Sequence, residues 1–144
     1  MVQIGMKDNK ESYFTIEELY RSTTANNLHI NNVPPAEAKA KLVELITTVL
    51  NPIRRKWKSP ILVSSGYRCP KLNKAVGGSP TSQHLKGEAA DIYCKDNREL
   101  FILICSMVYN GEIKIGQLID EKNYRWLHIS LPTNKHYNHI LHLK

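Results

Sequence analysis

The chain has 144 residues, of which 42% are hydrophobic and 23% charged; this composition supports a buried core and argues against disorder. Lysine and arginine outnumber aspartate and glutamate 20 to 13, giving a formal net charge of +7 that favours anionic partners. The three cysteines lack paired spacing, so they supply neither a disulfide framework nor a thiolate zinc site.

No apolar stretch reaches the length of a membrane span, and Met1–Lys10 lack the apolar core of a signal peptide, so no export route is expected from the chain itself. The length predicts one domain. Residues 1–12 read as a flexible tail and residues 13–144 as that domain, expected to be monomeric.

Thr15 and Glu18 have the spacing of a capping box and predict a short helix at residues 14–19. Ser22 to Asn32 reads as an ordered loop, ended by Pro34-Pro35 at the start of the next helix. Leu42, Leu45, Ile46, Val49, Leu50, Ile53 and Trp57 recur at helical spacing, with a kink or break expected near Leu50 because of Pro52. Residues 61–65 read as a buried strand. The stretch from Tyr67 to Gly87, rich in proline and glycine, reads as loop with one helical turn near residues 72–75. Residues 89–93 predict a strand, 98–109 an amphipathic helix closed by Asn110-Gly111, and 115–121 and 125–131 two strands about a short polar turn. A last strand is expected over 139–143. The class is therefore α+β, with a small, largely antiparallel sheet and helices packed around it.

The stretch Ser82-Gln83-His84-Leu85-Lys86-Gly87-Glu88-Ala89-Ala90-Asp91 carries the most chemistry. Its small residues predict backbone packed closely against a neighbour, with the loop folded back so that His84 and Asp91 converge. In the strand Trp126-Leu127-His128-Ile129-Ser130, residues 126, 128 and 130 share one face and Arg125 and Leu127 the other. Two imidazoles and one carboxylate make the ligand set of a catalytic zinc site, which keeps a fourth position open. Read from the residues alone, the pattern also fits a loop-capping His84 and a hydrogen-bonded core His128. His29, His136, His139 and His142 read as surface or edge positions.

These residues resemble the M15 family of zinc D-alanyl-D-alanine carboxypeptidases and related cell-wall peptidases, particularly the short bacterial and phage form. Ser82, His84, Gly87, Ala89, Asp91, Trp126 and His128 meet the pattern Ser-x-His-x-x-Gly-x-Ala-x-Asp followed by Trp-x-His. Ser65-Gly66-Tyr67-Arg68, Leu72-Asn73 and Val76-Gly77-Gly78-Ser79 resemble the segment ahead of the metal loop, and Phe14-Thr15, Glu18-Leu19, Ser22 and Thr24-Ala25 the N-terminal stretch. The likeness covers about residues 13 to 131. It implies a Hedgehog/DD-peptidase-like fold and Zn²⁺ held by His84, Asp91 and His128, where it would activate a water and polarise the scissile carbonyl. It also implies a peptidoglycan peptide as substrate, cut by a carboxypeptidase or an endopeptidase, with the bacterial wall as the place of action.

Arg68 looks like the family's substrate-facing arginine, suited to an oxyanion or a carboxylate; on its own it also reads as a surface arginine in a polar loop. Ser82 and Gln83 would bind substrate or orient a ligand, and Trp126 would wall the pocket or pack against the ligands. The family's acid three residues before the last histidine is replaced here by Arg125. The short form instead resembles Gln117-Leu118-Ile119-Asp120-Glu121, which makes Glu121 the candidate base and Asp120 its alternative. That departure keeps a rival open, a non-catalytic zinc-containing binding module of the same fold. A nucleic-acid-binding domain would rest on charge alone, without a docking motif.

Overall fold

The computed structural model describes residues 12–143; apart from Ser12, the expected tail lies outside the described residues. Thr15 and Glu18 close the expected box, with the Thr15 N–H donating to Glu18 Oε1 (2.9 Å) and the Glu18 N–H to Thr15 Oγ1 (3.2 Å). The helix they open is only a 3₁₀ turn, Glu17–Leu19, and the Leu19 carbonyl accepts instead from the Tyr67 N–H at 2.6 Å. Where a loop was expected, Ser22 caps helix α1 (Thr23–Asn27), its hydroxyl accepting from the Ala25 N–H at 3.1 Å. That is ordinary N-cap chemistry, hidden in the sequence by the polarity of the segment.

Helix α2 (Ala36–Leu45) passes through a π turn (Ile46–Leu50) into α3 (Asn51–Trp57). Pro52 lacks an N–H and its ring crowds the carbonyl four residues back, and the widened turn absorbs both without ending the rod. Leu42, Leu45, Val49, Leu50 and Ile53 stay buried through the change of pitch. Helix α4 (Pro70–Ala75) begins with proline at its first position and Cys69 as cap. Helix α5 (Asn97–Tyr109) is capped by Asp96, which accepts from the Glu99 N–H at 3.1 Å. Cys69, Cys94 and Cys105 are free and half-buried. Cys105 is thus less enclosed than its apolar neighbours suggest.

The strands are β1 (Leu62–Ser65), β2 (Ala89–Tyr93), β3 (Gln117–Glu121), β4 (Trp126–Ser130) and β5 (His139–Leu143), in the order β1-β2-β4-β3-β5. Strands β1–β2, β2–β4 and β4–β3 pair antiparallel, but β5 runs parallel to β3, so the sheet is mixed. Parallel pairing demands a crossover, and nothing in the local pattern of residues 139–143 announces it. Ala90, Ile92, Leu118, Leu127 and Ile129 face the helices and join Leu100, Phe101, Ile104 and Met107 of α5 in one core. Strict alternation then turns Asp91, Ile119, Glu121, Trp126 and His128 to the opposite face.

The loop that feeds this face depends on glycine at two points. A Cβ on Gly66 would stand 2.0 Å from the Leu19 carbonyl oxygen, and one on Gly87 2.4 Å from that of Ala38. Gly87 also has φ +74°, a left-handed conformation that side chains disfavour. The expected close packing of the small-residue stretch is present, and Ala89 and Ala90 are fully buried behind it.

Gly111 shares the left-handed conformation (φ +75°) but has open space around it. Replacing Gly111 with alanine should therefore cost only backbone strain, about 1 kcal/mol. Gly87→Ala adds a clash with fixed backbone and should cost at least ~1 kcal/mol more. Urea unfolding of the two variants measures the difference, and equal losses would mean that the loop moves off Ala38 freely.

Candidate metal centre

The site is assembled by sheet register. Asp91 of β2 lies directly opposite His128 of β4, and His128 lies directly opposite Ile119 of β3. Opposed residues on one face of an antiparallel pair bring their side chains together. His84 arrives from outside the sheet on the 3₁₀ turn Gln83–Lys86, which Ser82 caps by accepting from the His84 N–H at 3.1 Å. Gly87 ends that turn and returns the chain into β2.

His84 Nε2 lies 3.2 Å, and His128 Nδ1 3.1 Å, from the same oxygen, Asp91 Oδ1. On its other side His84 Nδ1 is 2.7 Å from the Gly66 carbonyl, which only accepts, so Nδ1 carries the proton and Nε2 is bare. His128 Nε2 is 2.9 Å from Gln83 Oε1, which assigns its proton in the same way and leaves Nδ1 bare. In neutral rings three lone-pair atoms then converge, an arrangement that a cation, or a second proton on a ring, relieves.

Those atoms all lie within 4.8 Å of one another. Ligands at ~2.0–2.1 Å around a tetrahedral ion stand roughly 3.3 Å apart, so the donor set fits zinc in chemistry, and its two separations from Asp91, 3.2 and 3.1 Å, fit in spacing. Among the described residues it is the only such group of histidine, cysteine and acid side chains. His84 is 3% and His128 9% exposed, so the group is screened from water on most sides. Burial alone would raise the Asp91 pKa, but hydrogen bonds from His128 and His84, and their charge when protonated, hold it well below the usual carboxylate range. Asp91 is therefore an anion, as a ligand must be.

The triad forms part of the wall of a cleft of about 570 Å³ that Arg68, Ser82, Gln83, Ile119, Glu121, Trp126 and His136 also line. The Arg68 guanidinium is fixed by three uncharged acceptors: Asn73 Oδ1 (3.0 Å), Ser65 Oγ (3.1 Å) and Ser82 Oγ (3.3 Å). Two of its five N–H donors remain for an incoming group. Ser82 and Gln83, expected to meet substrate or ligands, have their oxygens engaged on Arg68 and on His128.

Glu121 stands two residues along β3 from Ile119, on the same face, and opposite Trp126. That places it diagonal to His128, a separation of roughly 7–8 Å between backbones that long side chains span. Burial raises its pKa above the usual carboxylate range, the negative charge of Asp91 adds to this, and His128 acts the other way. Asp120, the alternative base, faces the opposite side of the sheet, where it is buried and hydrogen-bonded to His142. It does not line the cleft. Arg125 is exposed and does not line the cleft either.

Of the C-terminal histidines, expected at surface or edge positions, His136 lines the cleft and His142 holds Asp120. His142 does lie exposed on the edge strand β5, as expected; the contacts of the two side chains with the cleft and with Asp120 are what their recurrence at every third residue did not reveal.

The Peptidase M15 family matches residues 12–130, and the chain belongs to that family. No curated protein was found similar to the chain.

Two substitutions test the centre. His128→Ala removes one of three ligands and should abolish stoichiometric zinc binding, read by elemental analysis of purified protein. Gln83→Ala should leave the fold intact by circular dichroism but weaken zinc about 10–100-fold in chelator competition, because His128 loses the partner that fixes its tautomer. Undiminished affinity in Gln83→Ala would show that Asp91 alone orients the ring.

Proposed function

We propose that this M15 family chain is a zinc metallopeptidase that hydrolyses peptidoglycan stem or cross-bridge peptides at the bacterial wall, with residues 13–144 acting as one catalytic domain. The observation that carries the reading is the convergence of two imidazole nitrogens and a carboxylate oxygen in a cleft that also holds a carboxylate of raised pKa. The net charge of +7 suits an anionic wall.

Bound to His84, Asp91 and His128, zinc would supply a Lewis acid for the scissile carbonyl and lower the pKa of a water. Glu121 takes a proton from the attacking water and returns it to the leaving amine; its raised pKa brings it nearer the range where a carboxylate does both. Arg68 lines the cleft with two N–H donors to spare, which would hold the developing oxyanion or a substrate carboxylate. Trp126 flanks Glu121 and would limit water around it. Glu121 replaces the acid missing at position 125, which weighs against the rival, a zinc-holding module without catalysis.

Glu121→Gln keeps shape and removes basicity, so zinc content should stay at wild-type level while cleavage of wall peptides falls about 10²–10⁴-fold. Asp120→Asn should leave cleavage near wild type. Should neither the wild type nor any variant cut a broad panel of wall peptides, the binding-module reading holds instead.

Arg68→Lys should be nearly as damaging as Arg68→Ala, with zinc retained in both. An ammonium cannot satisfy Asn73, Ser65 and Ser82 together and still present a fork to the substrate. Steady-state kinetics on the same peptides measures this, and equal activity in wild type and Arg68→Ala would reduce Arg68 to a loop residue.

A further inference from the structure

The metal cleft does not end at the metal. Thr81, Ser82, Gln83 and His136 line both it and a second cavity of about 490 Å³. That second cavity is walled on one side by Leu85, Lys86 and Glu88 and on the other by Thr133, Asn134 and Lys135 of the β4–β5 connection. Lys86 and Lys135 thus reach it from segments far apart in sequence, and among the described residues neither forms an ion pair. Glu88 is the only acid in its lining.

The wall that carries Lys135 is held in place. Thr133 Oγ1 accepts from the N–H groups of Lys135 (3.3 Å) and His136 (3.1 Å), and the Thr133 N–H donates to the His136 carbonyl at 2.8 Å. At the far end Asn138 is bound to Ile115 in both directions, its N–H donating to the carbonyl (2.7 Å) and its Oδ1 accepting from the N–H (2.9 Å). The His136 ring is further set by His139, with Nδ1 atoms 3.5 Å apart. A fixed wall, with two ammonium groups outside any ion pair against one carboxylate and continuous with the candidate metal centre, has the form of a subsite.

We propose that the second cavity binds a carboxylate-bearing stretch of a peptide that extends past the metal, so that cleavage falls within or beside an acidic segment of a longer chain. The inference rests on the peptidase reading above. Lys86 and Lys135 attract the carboxylate, Glu88 disfavours a second one at its side, and His136 guides the peptide between the two cavities. A substrate confined to the metal cleft would use none of these groups.

The test is peptide binding to zinc-loaded Glu121→Gln protein, read by fluorescence anisotropy with a labelled pentapeptide carrying one side-chain carboxylate and with its amidated counterpart. The acidic peptide should bind about tenfold more tightly, the summed effect of two exposed charge contacts, and the advantage should shrink from 0.05 to ~0.5 M salt. Lys86→Ala/Lys135→Ala, introduced together, should erase the advantage, and Lys135→Glu should invert it toward a lysine-bearing peptide. Equal binding of acidic and amidated peptides, or an advantage that survives the double substitution and so belongs to Arg68, overturns the subsite. If the lysine-dependent preference is found but wild-type protein cuts no peptide, the subsite stands and the peptidase reading falls. If peptides are cut without any preference, the reverse holds.

Discussion

The site depends on one registration: Asp91 of β2 sits directly opposite His128 of β4. A slip of one residue along either strand would send a ligand into the helical core and bring Ala90, Ile92, Leu127 or Ile129 to the open face. The apolar residues prevent the slip. Each of the two strands alternates a cleft-facing side chain with one locked among α5 and the α2–α3 rod, so the hydrophobic energy that folds the sheet also sets the positions of Asp91 and His128. His84, the third donor, is outside this register and relies on backbone contact instead. The Gly66 and Gly87 approaches press its loop against Leu19 and Ala38, and the Gly66 carbonyl turns its ring.

This division explains what could be read from the sequence. His84, Asp91 and His128 stand out in the sequence because period-two alternation in residues 126–130 is a local property and a dense run of small residues implies close backbone contact, but their reading as a ligand set rests on the resemblance to the M15 family. The helical stripe from Leu42 to Trp57 was legible as a local property too, and so was its disturbance by Pro52, although the π turn that absorbs it was not. Helix α1 escaped notice because five polar or small residues carry no apolar stripe. The parallel pairing of β5 with β3, and with it the places of His136 and His142, depends on a long-range crossover that no local pattern encodes.

The same topology separates two neighbouring carboxylates. Glu121 and Asp120 are adjacent in sequence and look interchangeable there, yet the pleat sends them to opposite faces. Glu121 reaches the cleft, where burial raises its pKa. Asp120 reaches the core side, where His142 of β5 lies in register with it and packs against Phe101 with ring centroids 5.1 Å apart. One acid is left open toward a substrate and the other is tied into the edge of the sheet. The third acid, Asp91, is driven the opposite way from Glu121 by the imidazoles around it. Carboxylates pushed apart in this manner can hold a cation and move a proton side by side.

The turn between β3 and β4 shows how firmly Glu121 is held. Lys122, Asn123 and Tyr124 all have positive φ, a costly sequence of conformations for residues other than glycine. It persists because Asn97, at the start of α5, donates to the carbonyls of both Tyr124 and Arg125 at 2.9 Å while accepting from the Cys94 N–H at 2.7 Å. Arg98 stacks on the Tyr124 ring at 4.5 Å, and Phe101 meets its edge. The helix therefore does more than cover the apolar face of the sheet. Its first turn clamps the strained connection that delivers Glu121 and Trp126 to the cleft as a facing pair, and the strain is borne by contacts on the side of the sheet away from the cleft.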